Sequence, residues 1–208
     1  MTVSRDSARD GGERPGDERD DGEPVEGKPP RDEASADGWP VLDSDVVFEC
    51  PWFAVGYDRV RRPDGETAEY YWIDPPDAVA VVPVTERGEV VLVEEYRPTV
   101  GRTVLTPPAG ERDDGESFET AAARELREET GFAARDLAVV TTFRPVARMR
   151  QRFAVVLATD LSVGDQDLDA GEFIDVRVLP IEEALGAVRD GPTLGWALLA
   201  LYLARQEL

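Results

Sequence analysis

The apolar and polar positions of this chain separate a polar N-terminal stretch from a globular remainder. Residues 1–37 are mostly Asp, Glu, Gly, Pro and Arg, with almost no large apolar side chain. They cannot bury enough surface to offset the entropy lost on ordering, so we expect a disordered tail. From Trp39 onward the composition is globular. The roughly 170 residues that remain suffice for one sizeable core.

Short β-branched runs predict strands in the globular part. Residues 46–73 are expected to form strands around a turn at 62–65, where Arg-Pro-Asp-Gly favours chain reversal. The runs at 78–84 and 90–93 flank Thr-Glu-Arg-Gly-Glu, which predicts a hairpin. Later apolar runs predict further strands at residues 137–143, 153–158 and 173–178.

Helical spacing predicts three helices among these strands. The first follows Ser117, a favoured N-cap residue type, and ends at Gly131. Length and apolar spacing predict two more helices at residues 181–189 and 194–205. Strands interleaved with helices indicate an α/β fold with a mixed sheet flanked by helices.

The charge of the chain narrows the classes of partner. The formal charge is −21, and Lys28 is the only lysine among 23 basic residues. Such a chain should repel nucleic acids and anionic membranes, so we expect neither as a partner. High acidity with Arg in place of Lys resembles proteins from a salt-rich, halophilic cytoplasm, where screening tolerates self-repulsion. Genomic base composition is the alternative explanation.

The residue inventory also limits location and chemistry. Cys50 is the only cysteine, which excludes an intramolecular disulfide and fits a reducing compartment. The chain has no His, so His bases, His metal sites and Ser-His-Asp triads are excluded. No apolar run reaches the ~18 residues of a membrane span, and the N-terminus has no apolar signal core. We expect a cytoplasmic protein.

Residues 110–132 carry the most specific pattern, GERDDGESFETAAARELREETGF. Glu125 lies three residues before Glu128 and four residues before Glu129. The three glutamates therefore share one face of the predicted helix. Like charges at helical spacing cost roughly 0.2–0.5 kcal/mol per pair in water. A divalent cation explains their accumulation better than a solvated acidic face, and carboxylate oxygens suit Mg²⁺ or Mn²⁺.

The same pattern resembles the Nudix box without a mismatch. Its elements are Gly110, Glu116 after five residues, and Arg-Glu-apolar-x-Glu-Glu-x-Gly-apolar from Arg124 after seven more. The resemblance implies a Nudix fold, an α/β/α sandwich with a mixed β-sheet, preceded by a small N-terminal β segment. The implied parts are a tail at 1–37, the β segment at 38–77 and a Nudix hydrolase domain at 78–208.

The resemblance also implies roles for the box residues. In that family the metal is held by the two Glu that match Glu125 and Glu129 and by the carbonyl before the box glycine, here Ala109. Glu128 is expected to bind a second metal or to orient the water. Arg124 resembles the Arg that steadies the Glu side chains, and it lies four residues before Glu128. Glu128, Glu125 and Arg124 are therefore the expected catalytic residues, with Mg²⁺ or Mn²⁺ as cofactor.

Less specific motifs over residues 47–205 resemble the ADP-ribose pyrophosphatase branch. They include Pro-Trp-Phe at 51–53, Leu-Val-Glu-Glu-Tyr-Arg at 92–97 and Pro-Pro-Ala-Gly at 107–110. The resemblance implies a hydrolase that cleaves the diphosphate of a nucleoside diphosphate derivative, ADP-ribose or a nucleotide sugar first. In this branch the segment before Ala78 often packs across a two-fold axis, so we expect a homodimer.

Two groups of residues outside the box are candidates for substrate binding. Trp52 and Phe53 are aromatic residues able to stack on a nucleobase, or alternatively to pack in the core or a dimer interface. Arg97 ends a predicted strand and is a candidate phosphate clamp, with a surface ion pair to Glu95 as the alternative.

A cluster of arginines in the loop after residue 143 is a third candidate. Arg148 and Arg150, with Arg152 beside them, suit a phosphate-binding loop. A solvated strand entrance is the alternative.

One departure concerns the general base. The ADP-ribose branch normally carries a catalytic Glu before the strand that begins here at Phe153, where this chain has Gln151. Gln cannot act as a base, so a box carboxylate, first Glu128, is expected to activate the water.

Two alternatives to ADP-ribose hydrolysis remain. One is hydrolysis of other organic diphosphates, such as dinucleoside polyphosphates or oxidised nucleotides. The other is a non-hydrolysing nucleotide-sensing module, which Gln151 favours and the intact box disfavours.

Overall fold

The computed structural model describes residues 38–168 and 171–208, and the tail expected at 1–37 lies outside these residues. The described residues form ten strands and three helices. The strands are β1 Val41–Cys50, β2 Phe53–Arg61, β3 Thr67–Asp74, β4 Ala78–Pro83, β5 Glu89–Arg97, β6 Arg102–Thr106, β7 Ala109–Glu111, β8 Phe132–Phe143, β9 Phe153–Val163 and β10 Ile174–Pro180. The helices are α1 Phe118–Thr130, α2 Ile181–Asp190 and α3 Gly195–Gln206.

The first three strands form an antiparallel sheet of their own, in the order β1-β2-β3. The predicted turn joins β2 to β3: the amide of Gly65 donates to the carbonyl of Arg62, 3.0 Å away. Gly65 has a φ of 85°, a left-handed conformation that glycine adopts without strain. Many apolar side chains of this N-terminal sheet are exposed to solvent.

The central sheet is mixed, with the order β7-β4-β9-β8 and a parallel pair formed by β4 and β9. Alternate side chains of these two strands face opposite helical layers, as the period of a strand requires. Val79 and Val156 pack with Leu126 of α1, whereas Val82 and Val155 belong to the core beneath α2 and α3. The predicted mixed sheet with flanking helices is confirmed.

A third sheet has the antiparallel order β10-β5-β6. The hairpin expected between residues 78–84 and 90–93 is therefore wrong. The chain does turn there, but β4 and β5 share only the isolated bridge between Val84 and Val90 before they enter different sheets. Both runs are buried throughout or nearly so; β4 pairs with β7 and β9, whereas β5 pairs with β10 and with the next strand, β6. No helix among the described residues is both long and apolar enough to cross a lipid bilayer.

Candidate active site

Local sequence explains where helix α1 begins and ends. The Ser117 hydroxyl accepts a hydrogen bond from the amide of Thr120, 3.1 Å away, as an N-cap residue does. Gly131 ends the helix with a φ of 74°, and its amide donates to the Arg127 carbonyl. Both predicted caps are confirmed. The buried face of the helix includes Leu126 and anchors it on the central sheet.

Glu129 lies at the inner edge of this helix, beside the start of β7. Its side chain is only 4% exposed, and its carboxylate accepts a hydrogen bond from the amide of Ala109 at 3.0 Å. Burial raises the pKa of Glu129 to about 8, an effect that the Ala109 amide opposes and the charge of Glu125 reinforces. A carboxylate desolvated in this way gains from a nearby cation.

Glu125 and Glu128 share one arginine. Nη1 of Arg124 donates to Oε1 of Glu125 at 2.6 Å and to Oε2 of Glu128 at 3.2 Å. Burial raises the pKa of Glu125, and the Arg124 guanidinium opposes this rise. The carboxylate of Glu125 also lies directly against the backbone of Gly110, where a Cβ atom would come within 2.1 Å of Oε1. A larger residue at this position would displace the Glu125 carboxylate from its place.

Arg124 connects the helix to the loop that precedes it. Its guanidinium donates to both carboxylate oxygens of Glu116 and to the carbonyl of Glu111, 2.8 Å away. The hydrogen bonds to Glu116 come first among the causes that raise the pKa of Arg124 above its usual range. The expected steadying role of Arg124 thus has a geometric basis, since it reaches Glu116, Glu125 and Glu128 at once.

The donor set has the chemistry that a hard divalent cation requires. It combines two buried carboxylates, Glu125 and Glu129, with a backbone that approaches them closely at Gly110. Across residues 38–168 and 171–208, no three acidic side chains are already gathered around one point as a cation cage. Arg124 lies between Glu125 and Glu128 instead. The residues therefore fit a metal by type and burial, and the side chains must turn toward it.

Arg97 lies close enough to Glu129 for its positive charge to act on that carboxylate. Its charge lowers the pKa of Glu129, although burial dominates there. Its Nε is paired with Oε2 of Glu95 at 2.8 Å, as the alternative for this residue predicted. Glu172, just before β10, acts in the opposite direction and raises the pKa of Glu95, Glu125 and Glu129. Glu95 and Glu172 are therefore two negative charges near the box that the sequence did not indicate as site residues.

The loop between β8 and β9 corrects one expectation about its arginines. Nη2 of Arg150 donates to both carboxylate oxygens of Asp58, at 2.7 and 2.9 Å, and its guanidinium stacks 3.7 Å from the Trp72 ring centre. Arg150 therefore holds the N-terminal sheet and is not open to a phosphate. Arg148 is exposed, and its backbone carbonyl pairs with the amide of Ile73.

Gln151 and Arg152 attach the same loop to the segment before β4. The amide nitrogen of Gln151 donates to the carbonyl of Pro76 at 2.6 Å. Arg152 holds Asp77 through both its backbone and its guanidinium. Asp77 had no signal in the sequence, because a lone acidic residue after two prolines belongs to no local pattern.

Trp52 and Phe53 lie at the end of the β1–β2 hairpin. Trp52 is 66% exposed, and Phe53 packs against Phe48 with 6.0 Å between ring centres. The contact between Phe48 and Phe53 lies within the N-terminal sheet. Phe53 therefore follows the packing alternative, whereas both alternatives for the exposed Trp52 stay predictions.

Comparisons with known proteins agree with this geometry. Residues 74–197 match the NUDIX domain model, and residues 39–73 match the nucleoside diphosphate sugar hydrolase N-terminal domain. An ADP-ribose pyrophosphatase from Bacillus subtilis (strain 168) is 36% identical over 153 residues, which cover 72% of this chain and 83% of that protein. An ADP-ribose pyrophosphatase from Mycobacterium tuberculosis (strain ATCC 25618 / H37Rv) is 41% identical over 168 residues, 79% of this chain and 81% of that protein.

A solved structure supports the same assignment. The crystal structure of an ADP compounds hydrolase superposes with a TM-score of 0.72 at 25% identity, covering 85% of this chain and 97% of that one. The match spans both the N-terminal sheet and the sandwich. With the intact box on α1 and the family match over residues 74–197, the chain belongs to the Nudix family of hydrolases.

Proposed function

We propose that this Nudix hydrolase cleaves the diphosphate of a nucleoside diphosphate derivative, with ADP-ribose or a nucleotide sugar as the first candidates. The observation that carries the proposal is the pair of buried carboxylates, Glu125 and Glu129, against the backbone of Ala109 and Gly110. The names of the relatives supply the substrate class. The N-terminal match to nucleoside diphosphate sugar hydrolases supports it independently of the box.

The box residues have distinct tasks in this proposal. Glu125, Glu129, the Ala109 carbonyl and Glu128 would hold Mg²⁺ or Mn²⁺. When bound, the metal would neutralise the diphosphate and lower the pKa of water. Glu128 is the more open of the two carboxylates on Arg124, with a side chain 22% exposed against 11% for Glu125. A water molecule therefore reaches Glu128 more readily, and we assign its carboxylate as the proton acceptor.

We assign Arg97 as the arginine that binds the substrate phosphate. It lies close enough to Glu129 to influence its pKa, whereas Arg150 is committed to Asp58. Glu95 holds the Arg97 guanidinium by one edge through Nε, and a phosphate would use its remaining donors.

The test is a substrate panel with one matched pair of variants. The full chain is incubated in high salt with Mg²⁺ or Mn²⁺ and ADP-ribose, nucleotide sugars, dinucleotides or nucleoside triphosphates, and the products are separated. Glu129→Gln should lower turnover at least about 100-fold, equivalent to ~2.7 kcal/mol of barrier. Glu119→Gln, on the first turn of the same helix, should leave turnover unchanged. A fully active Glu129→Gln variant would refute the site, and triphosphate as the preferred substrate would refute the substrate class.

We also infer that the protein is a homodimer formed through the N-terminal sheet. Large apolar side chains of this sheet are exposed, including Val47, Phe48, Trp52 and Tyr71. Exposed large apolar side chains of this kind are typical of an interface, and a two-fold interface uses the same patch on both copies. Light scattering should give twice the chain mass of 22.9 kDa. Trp52→Asp should shift the protein toward the monomer, and a monomeric wild type contradicts the inference.

A cytoplasmic location is a further part of this proposal. Cys50 is a free, half-buried thiol, which is typical of a reducing compartment. Cell fractionation with an antibody to the full chain tests it, and recovery from the membrane or medium fraction would contradict it.

A further inference from the structure

Asp77, immediately before β4, gathers two arginines from different parts of the chain. Its Oδ2 accepts hydrogen bonds from Nη2 of Arg112 at 3.1 Å and from Nη2 of Arg152 at 2.6 Å. Its Oδ1 accepts from the backbone amide of Arg152 at 2.8 Å. The side chain is 15% exposed. Asp77 is therefore a largely buried anion between the start of the box and the β8–β9 loop.

One of these arginines leads directly into the box. Nη1 of Arg112 donates to the carbonyl of Glu116 at 2.6 Å, and its amide donates to the carbonyl of Asp77 at 2.8 Å. Nε of Arg112 is buried without a hydrogen-bond partner. The side chain is thus held by Asp77, by the Glu116 carbonyl and by stacking over Phe118. Loss of Asp77 would remove its only carboxylate partner among the described ion pairs.

From Glu116 the contacts continue to the functional carboxylates. Oε2 of Glu116 accepts from Arg124 at 3.2 Å, and Arg124 in turn donates to Glu125 and Glu128. The second route is the backbone, because Ala78, next to Asp77, pairs with Glu111 in the β4–β7 ladder. The Glu111 carbonyl also accepts from Arg124. Both routes begin at Asp77 and end at Arg124.

We propose that Asp77 is a positioning residue for the metal-binding carboxylates of the box, acting through Arg112, Glu116 and Arg124. The inference rests on the proposed function, since it concerns how the same site is held in shape. Asp77 lies outside the box and touches none of its carboxylates. Its effect is on their orientation, and hence on the affinity for a divalent cation.

A purely stabilising role for Asp77 is the competing explanation, and the chain offers a matched control for it. Asp58 is also a buried carboxylate paired with an arginine of the β8–β9 loop, here Arg150. Its partners are Arg150, Ser44 and Trp72, and none of them belongs to the box. A variant at Asp58 therefore removes a buried ion pair of the same type without touching Arg112 or Glu116.

The experiment measures Mn²⁺ binding to the substrate-free full chain by electron paramagnetic resonance, at a temperature where melts show every variant folded. Asp77→Asn keeps the size of the side chain and removes its charge. It should weaken Mn²⁺ binding by about 10-fold, a typical loss when a group that orients a ligand is removed. Arg112→Met keeps the packing over Phe118 and should cause a loss of similar size. The double variant should lose little more than either single one.

The control and the contrary results are distinct. Asp58→Asn should retain wild-type Mn²⁺ affinity even where its melting temperature falls. Wild-type affinity in Asp77→Asn, or an equal loss in Asp58→Asn, would overturn the positioning role and leave the proposed function standing. A wild-type chain that binds no Mn²⁺ would overturn the proposed function, and this inference with it.

Discussion

At the scale of single residues, three glutamates on one helix occupy three different environments. Glu129 is buried against Ala109, Glu125 is buried against Gly110, and Glu128 is more open and lies between two arginines. Residue type and spacing are alike, so the difference in burial separates the roles. In the proposed mechanism all three would hold the metal, and the more open Glu128 would in addition accept the proton.

The first prediction concerns the proton acceptor. Glu128→Gln removes the basic oxygen and keeps the side-chain length, so kcat should fall about 100-fold while KM changes little, as for a group that acts in the transition state. Steady-state kinetics on the preferred substrate of the panel checks this. Full turnover in Glu128→Gln, together with inactive Gln151→Ala, would show that Glu128 is not the proton acceptor and that catalysis depends on the β8–β9 loop instead.

A second prediction concerns Gln151 itself. Its amide donates to the Pro76 carbonyl, a bond that an ionised carboxylate cannot make. Gln151→Glu should therefore lower the free energy of unfolding by about 1–3 kcal/mol, the cost of leaving a partly buried acceptor unsatisfied. Denaturant unfolding at pH 7 measures this. An unchanged stability would show that the loop is free to place a carboxylate at the site.

At the scale of elements, the β8–β9 loop is bound to the N-terminal sheet. Met149 forms a parallel bridge with Ile73 of β3, and the amide of Arg150 donates to the Ile73 carbonyl. The Arg150–Asp58 ion pair attaches the same loop to β2. The loop therefore works as a connection between two sheets, and the N-terminal sheet sets its path.

The prediction at this scale concerns pH. Burial acts to raise the pKa of Asp58, but hydrogen bonds from Ser44, Arg150 and Trp72 prevail and hold that pKa below its usual value. A folded pKa below the unfolded one contributes stability that is present above pH ~4 and is lost as the pH falls further. Removal of Asp58 removes this contribution.

Asp58→Asn should therefore lose about 3 kcal/mol at pH 7, because Arg150 stays buried without its partner. The difference from wild type should shrink as the pH falls below ~4. Denaturant unfolding from pH 7 to pH 3 measures both effects. Asp190→Asn, whose ion pair with Arg189 is exposed, is the control and should unfold at the same denaturant concentration as wild type. A difference between Asp58→Asn and wild type that grows on acidification would contradict the sign.

At the scale of the whole molecule, the charge is the dominant property. The net charge of −21 on 208 residues implies strong self-repulsion at low ionic strength. Many of the described basic residues form ion pairs, for example Arg59, Arg177 and Arg205. Exposed pairs of this kind are worth ~0–1 kcal/mol each, so they do not offset the excess of acidic groups.

The last prediction is that the folded state needs salt. At 1 M ionic strength the screening length is about 3 Å, which suppresses repulsion between surface carboxylates. The melting temperature should rise from low to molar KCl. Sucrose of matched viscosity is the control for effects unrelated to charge. A melting temperature that is unchanged, or higher at low salt, would leave genomic base composition as the explanation of the acidity.

The sequence by itself determined those features that depend on neighbours along the chain. The limits of α1 follow from Ser117 and Gly131, and the three glutamates share a face because helical spacing places them there. The turn at 62–65 and the buried strands β4 and β9 follow likewise from residue type and period. All of these patterns lie within about one helix or strand length.

Only the tertiary structure decided which partners meet across the chain. The apolar pattern of β4 and β5 indicates that both strands are buried, but it contains no information on which strands they pair with. The hairpin expected between them is therefore wrong, and the two strands belong to different sheets. Arg150 meets Asp58 across 92 positions and Arg152 meets Asp77 across 75, and no local pattern encodes either contact. For Arg150, the two alternatives were a phosphate-binding role and a structural one. Its buried partner Asp58 decided for the structural role, because an arginine paired with a buried carboxylate is held there by charge and is not available to a substrate.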